Sequence, residues 1–187
     1  IKYRQDAMKT QASYCLTTEK LKKFLPKNVK IIVVKNVLFE IAKILKTVYP
    51  QADVDIPDLS VKVANKKKFK SVKFGNNVLI GKNVKIGNNS IIGSNSIIEH
   101  NSIIGKNCVI GSNVVLKNTV IYDDVVIQDG CKIGSKGFGF IPMKDKNFKF
   151  PHIGRVIIND KVEIASGCTI DRGSVGDTEI GKNTYLD

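Results

Sequence analysis

From Phe74 onward, aliphatic residues recur every six positions, at Ile80, Ile86, Ile92, Ile98, Ile104, Ile110 and Leu116. Glycine follows at Gly81, Gly87, Gly93, Gly105 and Gly111, and a small or β-branched residue stands two places earlier, at Val78, Val84, Ser90, Ser96, Ser102, Cys108 and Val114. A period of six fits neither the 3.6-residue helix nor the two-residue alternation of a plain strand. It describes a short strand followed by a sharp turn, with Gly and Asn at turns where a positive φ is tolerated. Three such units close one triangular coil. The long aliphatics stack in interior ladders, and the small residues fill the tighter interior positions. Parallel strands of successive coils satisfy one another's backbone groups.

The repeat breaks in three places. After Leu116 the ladder steps by five to Ile121, then continues at Ile127 and Ile133. A five-residue step tightens one corner and reads as a local adjustment. After Ile133-Gly134 about 18 residues leave the coil, including Gly137-Phe138-Gly139-Phe140, before the ladder resumes at Val156, Ile158, Ile164 and Ile170. Two phenylalanines between glycines either pack back on the protein's own wall or form the wall of an apolar ligand site. The segment Asp171-Arg172-Gly173-Ser174-Val175-Gly176-Asp177-Thr178 widens a third corner before Ile180-Gly181. There Asp171 and Arg172 are expected to pair and hold the bulge.

Residues 1–56 read as part of a small α/β domain. Ser13 to Leu16 is a strand; Thr18 is placed to cap a short helix carrying Leu21, Phe24 and Leu25, stopped at Pro26. Ile31 to Val34 reads as a buried strand. Asn36 caps a helix running to Val48, with Val37, Leu38, Ile41, Ile44, Leu45 and Val48 on one face and Pro50 beyond it. Residues 57–72 form a linker and lead-in, whose run Asn65-Lys66-Lys67-Lys68 reads as a solvated turn. Residues 73–187 form the coiled repeat.

Charge and cysteine usage bear on function mainly by exclusion. The formal net charge is +13, yet only Arg4, Arg155 and Arg172 are arginines. Many lysines sit at turns, one per repeat, as at Lys82, Lys106 and Lys182. That spacing differs from the clustered Arg, Lys and aromatics of a nucleic-acid surface. A diffuse positive field suits an acidic protein or a phosphorylated substrate. Cys15, Cys108, Cys131 and Cys168 form no C-x-x-C pair and match no zinc set. Cys108, Cys131 and Cys168 share the small-residue phase of the repeat, so packing is their expected role, and free thiols fit a reducing compartment. No run approaches the ~20 apolar residues of a membrane span. The charged start Ile1-Lys2-Tyr3-Arg4 does not read as a secretory signal, and without an initiator methionine the natural N-terminus is expected to lie upstream.

One ordered set of motifs is more specific than the repeat. It comprises Gly134-Ser135-Lys136-Gly137-Phe138-Gly139-Phe140, Pro151-His152-Ile153-Gly154-Arg155-Val156-Ile157-Ile158, Val162-Glu163-Ile164, Thr169-Ile170-Asp171-Arg172-Gly173 and Asp177-Thr178-Glu179-Ile180-Gly181. With its loop length, this set resembles the UDP-3-O-(3-hydroxyacyl)glucosamine N-acyltransferases of lipid A biosynthesis. In the front zone, Lys2-Tyr3-Arg4 and Val34-Lys35-Asn36 resemble pieces of that family's uridine-binding domain.

The resemblance implies a mainly β fold, a left-handed parallel β-helix of hexapeptide repeats behind a partial α/β domain. It implies transfer of a 3-hydroxyacyl chain from acyl carrier protein to the 2-amino group of UDP-3-O-acylglucosamine. The family works as a cytoplasmic homotrimer, without a bound metal or cofactor, using a histidine as general base and backbone amides to stabilise the oxyanion. By position, Tyr3 resembles the tyrosine that helps hold uracil, Phe138 and Phe140 the loop beside the acyl and sugar site, and Asp187 the carboxylate supporting the catalytic histidine.

In the family that histidine follows the aspartate resembling Asp187, so the chain is expected to be an internal fragment or a decayed gene product. Residues 1–187 alone are expected to be inactive, and poorly soluble because the last coil leaves a β edge unpaired. His100, at an ordinary turn, and His152, where the family usually has glutamine, are expected to serve surface or loop packing. The competing readings are a non-catalytic remnant or another hexapeptide enzyme. Of these, the O-acyltransferase of the same pathway lacks such a front domain, and a γ-type carbonic anhydrase needs three zinc-binding histidines where this chain has two.

Overall fold

The computed structural model describes residues 3–187 and divides them into two compact units, one of residues 3–50 with 140–149 and one of residues 51–139 with 150–187. In the larger unit the six-residue period becomes a parallel β-helix. Its three sheets are stacked from two- to five-residue strands: six run from Lys73–Phe74 to Tyr185–Leu186, six from Lys62–Val63 to Thr169–Arg172, and five from Lys85–Ile86 to Thr178–Ile180. Corresponding residues lie 18 apart, as in Ile80 opposite Ile98 and Ile98 opposite Leu116. After the five-residue step they lie 17 apart, as in Leu116 opposite Ile133 and Ile110 opposite Ile127. Lys62–Val63 joins its sheet antiparallel, against Leu79–Ile80.

The ladder forms the core. Ile92, Ile98, Leu116, Ile127, Ile133, Ile158 and Ile164 are wholly buried, as are Ser90, Ser96, Cys108, Val114 and Cys131 in the small-residue phase. Each aliphatic contributes about 1.5–3 kcal/mol by leaving water. Burial raises the thiol pKa of Cys108 and of Cys131, which suits packing rather than chemistry.

The turns divide their work between Asn and Gly. Positive φ falls on Asn77, Asn83, Asn89, Asn95, Asn101, Asn107 and Asn113, between 54° and 63°, rather than on the repeat's glycines. Their side chains bond along the axis, Asn83 Nδ2 donating to Asn101 Oδ1 at 3.1 Å. The glycines answer a different need. A Cβ on Gly87 would lie 2.5 Å from the Gly105 carbonyl carbon one coil on, so the corner closes only without a side chain.

In the smaller unit β1 (Tyr14–Thr17) and β2 (Lys30–Val33) form a two-stranded parallel sheet. A helix, α1 (Arg4–Met8), precedes it, and α2 (Val37–Val48) follows. Asn36 caps α2 as expected, its Oδ1 accepting the Phe39 N–H at 3.1 Å. Two sequence expectations fail here. Ile31, Ile32 and Val33 are 39–47 % exposed rather than buried, because two strands provide no second layer over them. The helix expected from Thr18 is a single 3₁₀ turn, Lys22–Phe24, with no side-chain cap. Residues Phe140–Pro142 and Asn147–Lys149 form an antiparallel hairpin of this unit, and Phe148 meets Phe39 edge-on at 5.2 Å.

Candidate functional site

Residues 52–60 run along one corner of the β-helix, against the turns that follow the strands ending at Ile80, Ile98, Leu116 and Lys136. Ser60 Oγ accepts the Lys82 N–H at 3.0 Å, and Asp58 Oδ2 accepts the His100 N–H at 2.7 Å. Asp55 Oδ2 accepts the Lys136 N–H at 3.0 Å, and the Ala52 carbonyl accepts the His152 N–H at 2.9 Å. Along this corner the repeat's glycine is replaced by Glu99 and Lys117, which pair at 3.2 Å with each other, and Lys117 Nζ lies 3.9 Å from Asp55. This strap carries no periodic signal by which the sequence would disclose it. The loss of glycine at 99 and 117 was its only trace.

The strap ends at the interrupted coil. Arg172 is 7 % exposed and bonds three ways. Its Nη1 donates to Asp55 Oδ1 at 2.8 Å and to the Gly134 carbonyl at 3.0 Å, and its Nε donates to the His152 carbonyl at 3.1 Å. The expected Asp171–Arg172 pair is thus replaced by Asp55–Arg172. Neighbours in a strand point to opposite faces, so Asp171 faces solvent while Arg172 turns inward. Burial raises the Asp55 pKa, but the Arg172 and Lys136 hydrogen bonds and the Arg172 and Lys117 charges outweigh it and hold the carboxyl below its usual range.

The loop leaves after Lys136 and returns at His152. Gly134 takes φ +84°, and a Cβ there would lie 1.6 Å from the Lys117 carbonyl oxygen. The His152 ring packs on Gly137 and Gly139, whose Cβ atoms would fall 2.7 and 2.8 Å from it. Its Nδ1 lies 3.2 Å from the Gly137 N and 3.3 Å from the Arg172 O. Burial first, then the Lys136 and Arg172 charges, lower its pKa and favour the neutral ring. The widened corner stacks beside it: the Ile153 N–H reaches the Ser174 carbonyl at 2.8 Å, and Arg155 pairs with Asp177 at 3.2 Å.

Phe138 stands at the near side of this loop and is 94 % exposed. Phe140, 42 % exposed, opens the hairpin of the smaller unit. Tyr3 precedes α1 in that unit and is 64 % exposed. Asp187 lies at the last coil, in a shallow cleft of about 190 Å³ with Gln128, Glu163 and Tyr185. His100 Nδ1 sits 3.1 Å from Asp58 Oδ2. Among the described residues no group of three or more His, Cys, Asp or Glu is placed to hold a metal, and no helix is long and apolar enough to cross a membrane.

The coils define a hexapeptide-repeat β-helix, and the family model described as the EIF2B subunit epsilon LbH domain matches residues 64–136. Curated acyltransferases match a short part of the chain. A UDP-3-O-acylglucosamine N-acyltransferase of Trichodesmium erythraeum is 52 % identical over 58 residues, 31 % of this chain and 17 % of that protein. One of the same name from Fusobacterium nucleatum is 52 % identical over 58 residues, 31 % of this chain and 18 % of that protein. The matches therefore span less than a fifth of those relatives' length. A solved structure of AntD, an N-acyltransferase from Bacillus cereus in complex with dTDP and 3-hydroxybutyryl-CoA, is 20 % identical over 67 % of this chain and 81 % of that one, with a TM-score of 0.30.

Proposed function

We propose that this chain is part of an N-acyltransferase that moves a 3-hydroxyacyl chain from acyl carrier protein to the 2-amino group of UDP-3-O-acylglucosamine, in lipid A biosynthesis. The observation that carries this reading is the loop interrupting an otherwise regular β-helix, which holds Phe138 out at 94 % exposure on a glycine-flanked segment. An apolar ring in water costs free energy unless a ligand or partner covers it, and an acyl chain is an apolar ligand. The names of the curated relatives point to the same substrate. In this reading Tyr3 meets the uracil, Phe138 and Phe140 flank the acylated sugar, and Asp187 supports a histidine base. The active assembly is a cytoplasmic homotrimer that holds no metal, and its lysine-rich surface receives the acidic carrier protein.

The test is calorimetric titration of residues 1–187 with UDP-3-O-acylglucosamine and with UDP. The acylated ligand binds at least tenfold more tightly, and Phe138→Ala removes most of that preference. Equal affinity for the two ligands, or a preference that survives Phe138→Ala, would overturn the proposal.

A further inference from the structure

We propose that Asp55 and Arg172 are positioning residues for the phenylalanine loop: their ion pair fastens both roots of the loop to the corner strap, so that Phe138 is presented to an acylated ligand in one arrangement. The inference rests on the acyltransferase reading for its ligand and on the geometry alone for the loop. Gly134 sits at the irregularity in the last coil strand before the loop, two residues ahead of its end at Lys136, and His152 lies where the chain returns. One guanidinium donates to both the Gly134 and the His152 carbonyls, at 3.0 and 3.1 Å, through different nitrogens. A planar fork of fixed donors can span two carbonyls and a carboxylate at once; a lysine ammonium offers a point charge without that geometry. Asp55 completes the arrangement from the strap, one oxygen on Arg172 and the other on the Lys136 N–H within the departing root. The two residues are 117 apart in sequence, so this one pair couples the strap to both roots.

A pair that served only to stabilise the β-helix would act on the coils. Beyond each other, the two side chains bond Gly134, Lys136 and His152, which flank the loop, and Lys117 Nζ lies 3.9 Å from Asp55. Breaking it leaves Arg172 buried with an unbalanced charge. The substitutions chosen therefore keep the polar contacts while removing the charge or the fork: Asp55→Asn and Arg172→Lys.

The experiment measures native-state amide exchange in the unmodified chain and both variants, with titration of UDP-3-O-acylglucosamine and UDP on the same samples. Exchange at the amides of Gly137, Phe138, Gly139 and His152 should rise about tenfold or more, while the ladder amides of Ile92, Ile98 and Ile110 stay unchanged. The preference for the acylated ligand should fall at least fivefold. Unchanged loop exchange, an equal loss of protection in the ladder, or a loosened loop with undiminished acyl preference would each overturn the proposal. If the unmodified chain binds neither ligand while the loop still loosens, the acyltransferase reading fails and the fastening of the loop stands.

Discussion

Ser90, Ser96 and Ser102 hold equivalent interior positions on successive faces, and all are wholly buried. Ser90 Oγ donates to the Gly105 carbonyl at 2.9 Å and accepts the Cys108 N–H at 3.1 Å; Ser96 Oγ donates to Gly111 at 2.8 Å and accepts from Val114 at 3.1 Å. Each acceptor lies 15 residues on. The same step from Ser102 reaches Lys117, but the ladder shortens there, and Thr119 Oγ1 takes the Lys117 carbonyl at 2.6 Å. Ser102 Oγ is left without a protein partner. Ser96→Ala strands a buried N–H and a buried C=O, each costing about 1–3 kcal/mol, so the variant loses about 2–6 kcal/mol. Ser102→Ala removes an already unpaired hydroxyl and changes stability by about 1 kcal/mol or less, in either direction. The difference of at least about 1 kcal/mol corresponds to a Tm gap of about 2–4 °C or more in a chain of this size. Thermal melts followed by circular dichroism at the β-sheet band measure it. Equal losses in the two variants would refute the claim that the five-residue step costs Ser102 its partner.

Gly134→Ala should prevent the coil from closing at the loop's departure, because its Cβ would meet the Lys117 carbonyl at 1.6 Å. Gly167→Ala has nothing within 4 Å and loses only the ~1–2 kcal/mol of a left-handed backbone; urea titrations of the two variants compare them. Acid should loosen the strap. Burial raises the Asp58 pKa, but hydrogen bonds from Ser60 and His100 prevail and hold it down to about 2. A depressed carboxylate stabilises the fold above its unfolded pKa of about 4, and that stability is lost as pH falls toward 2. Asp58→Asn should therefore flatten the acid limb of stability between about pH 4 and 2, and an unaltered limb would contradict the assignment. Residues 1–187 should show no N-acyl transfer by mass spectrometry of the UDP-sugar. His100 is engaged by Asp58, and His152 is packed on Gly137 and Gly139. Measurable turnover would refute this.

The fold was legible because its forces are local and repeated. Each six-residue unit declares one buried aliphatic, one small interior residue and one Asn that tolerates positive φ, and all three hold from Ile92 through Leu116. The role of glycine was half legible. Its recurrence was plain, but the cause lies in the backbone of the next coil, which sequence does not display. The burial of β2 was misread because apolar composition shows what a strand prefers to cover, not whether a second layer exists. The loop at Phe138 was visible as a break in period. Its anchorage was not: Arg172 has an aspartate beside it at 171, and the true partner, Asp55, lies in a segment with no period at all.

The most direct test of the account follows the amide resonances of Gly137, Phe138 and Gly139 as UDP-3-O-acylglucosamine is added to isotopically labelled residues 1–187. The account predicts that these three amides and His152 shift together, saturate at one affinity, and do not respond to UDP alone. Shifts confined to the coils, with the loop unmoved at saturation, would contradict it.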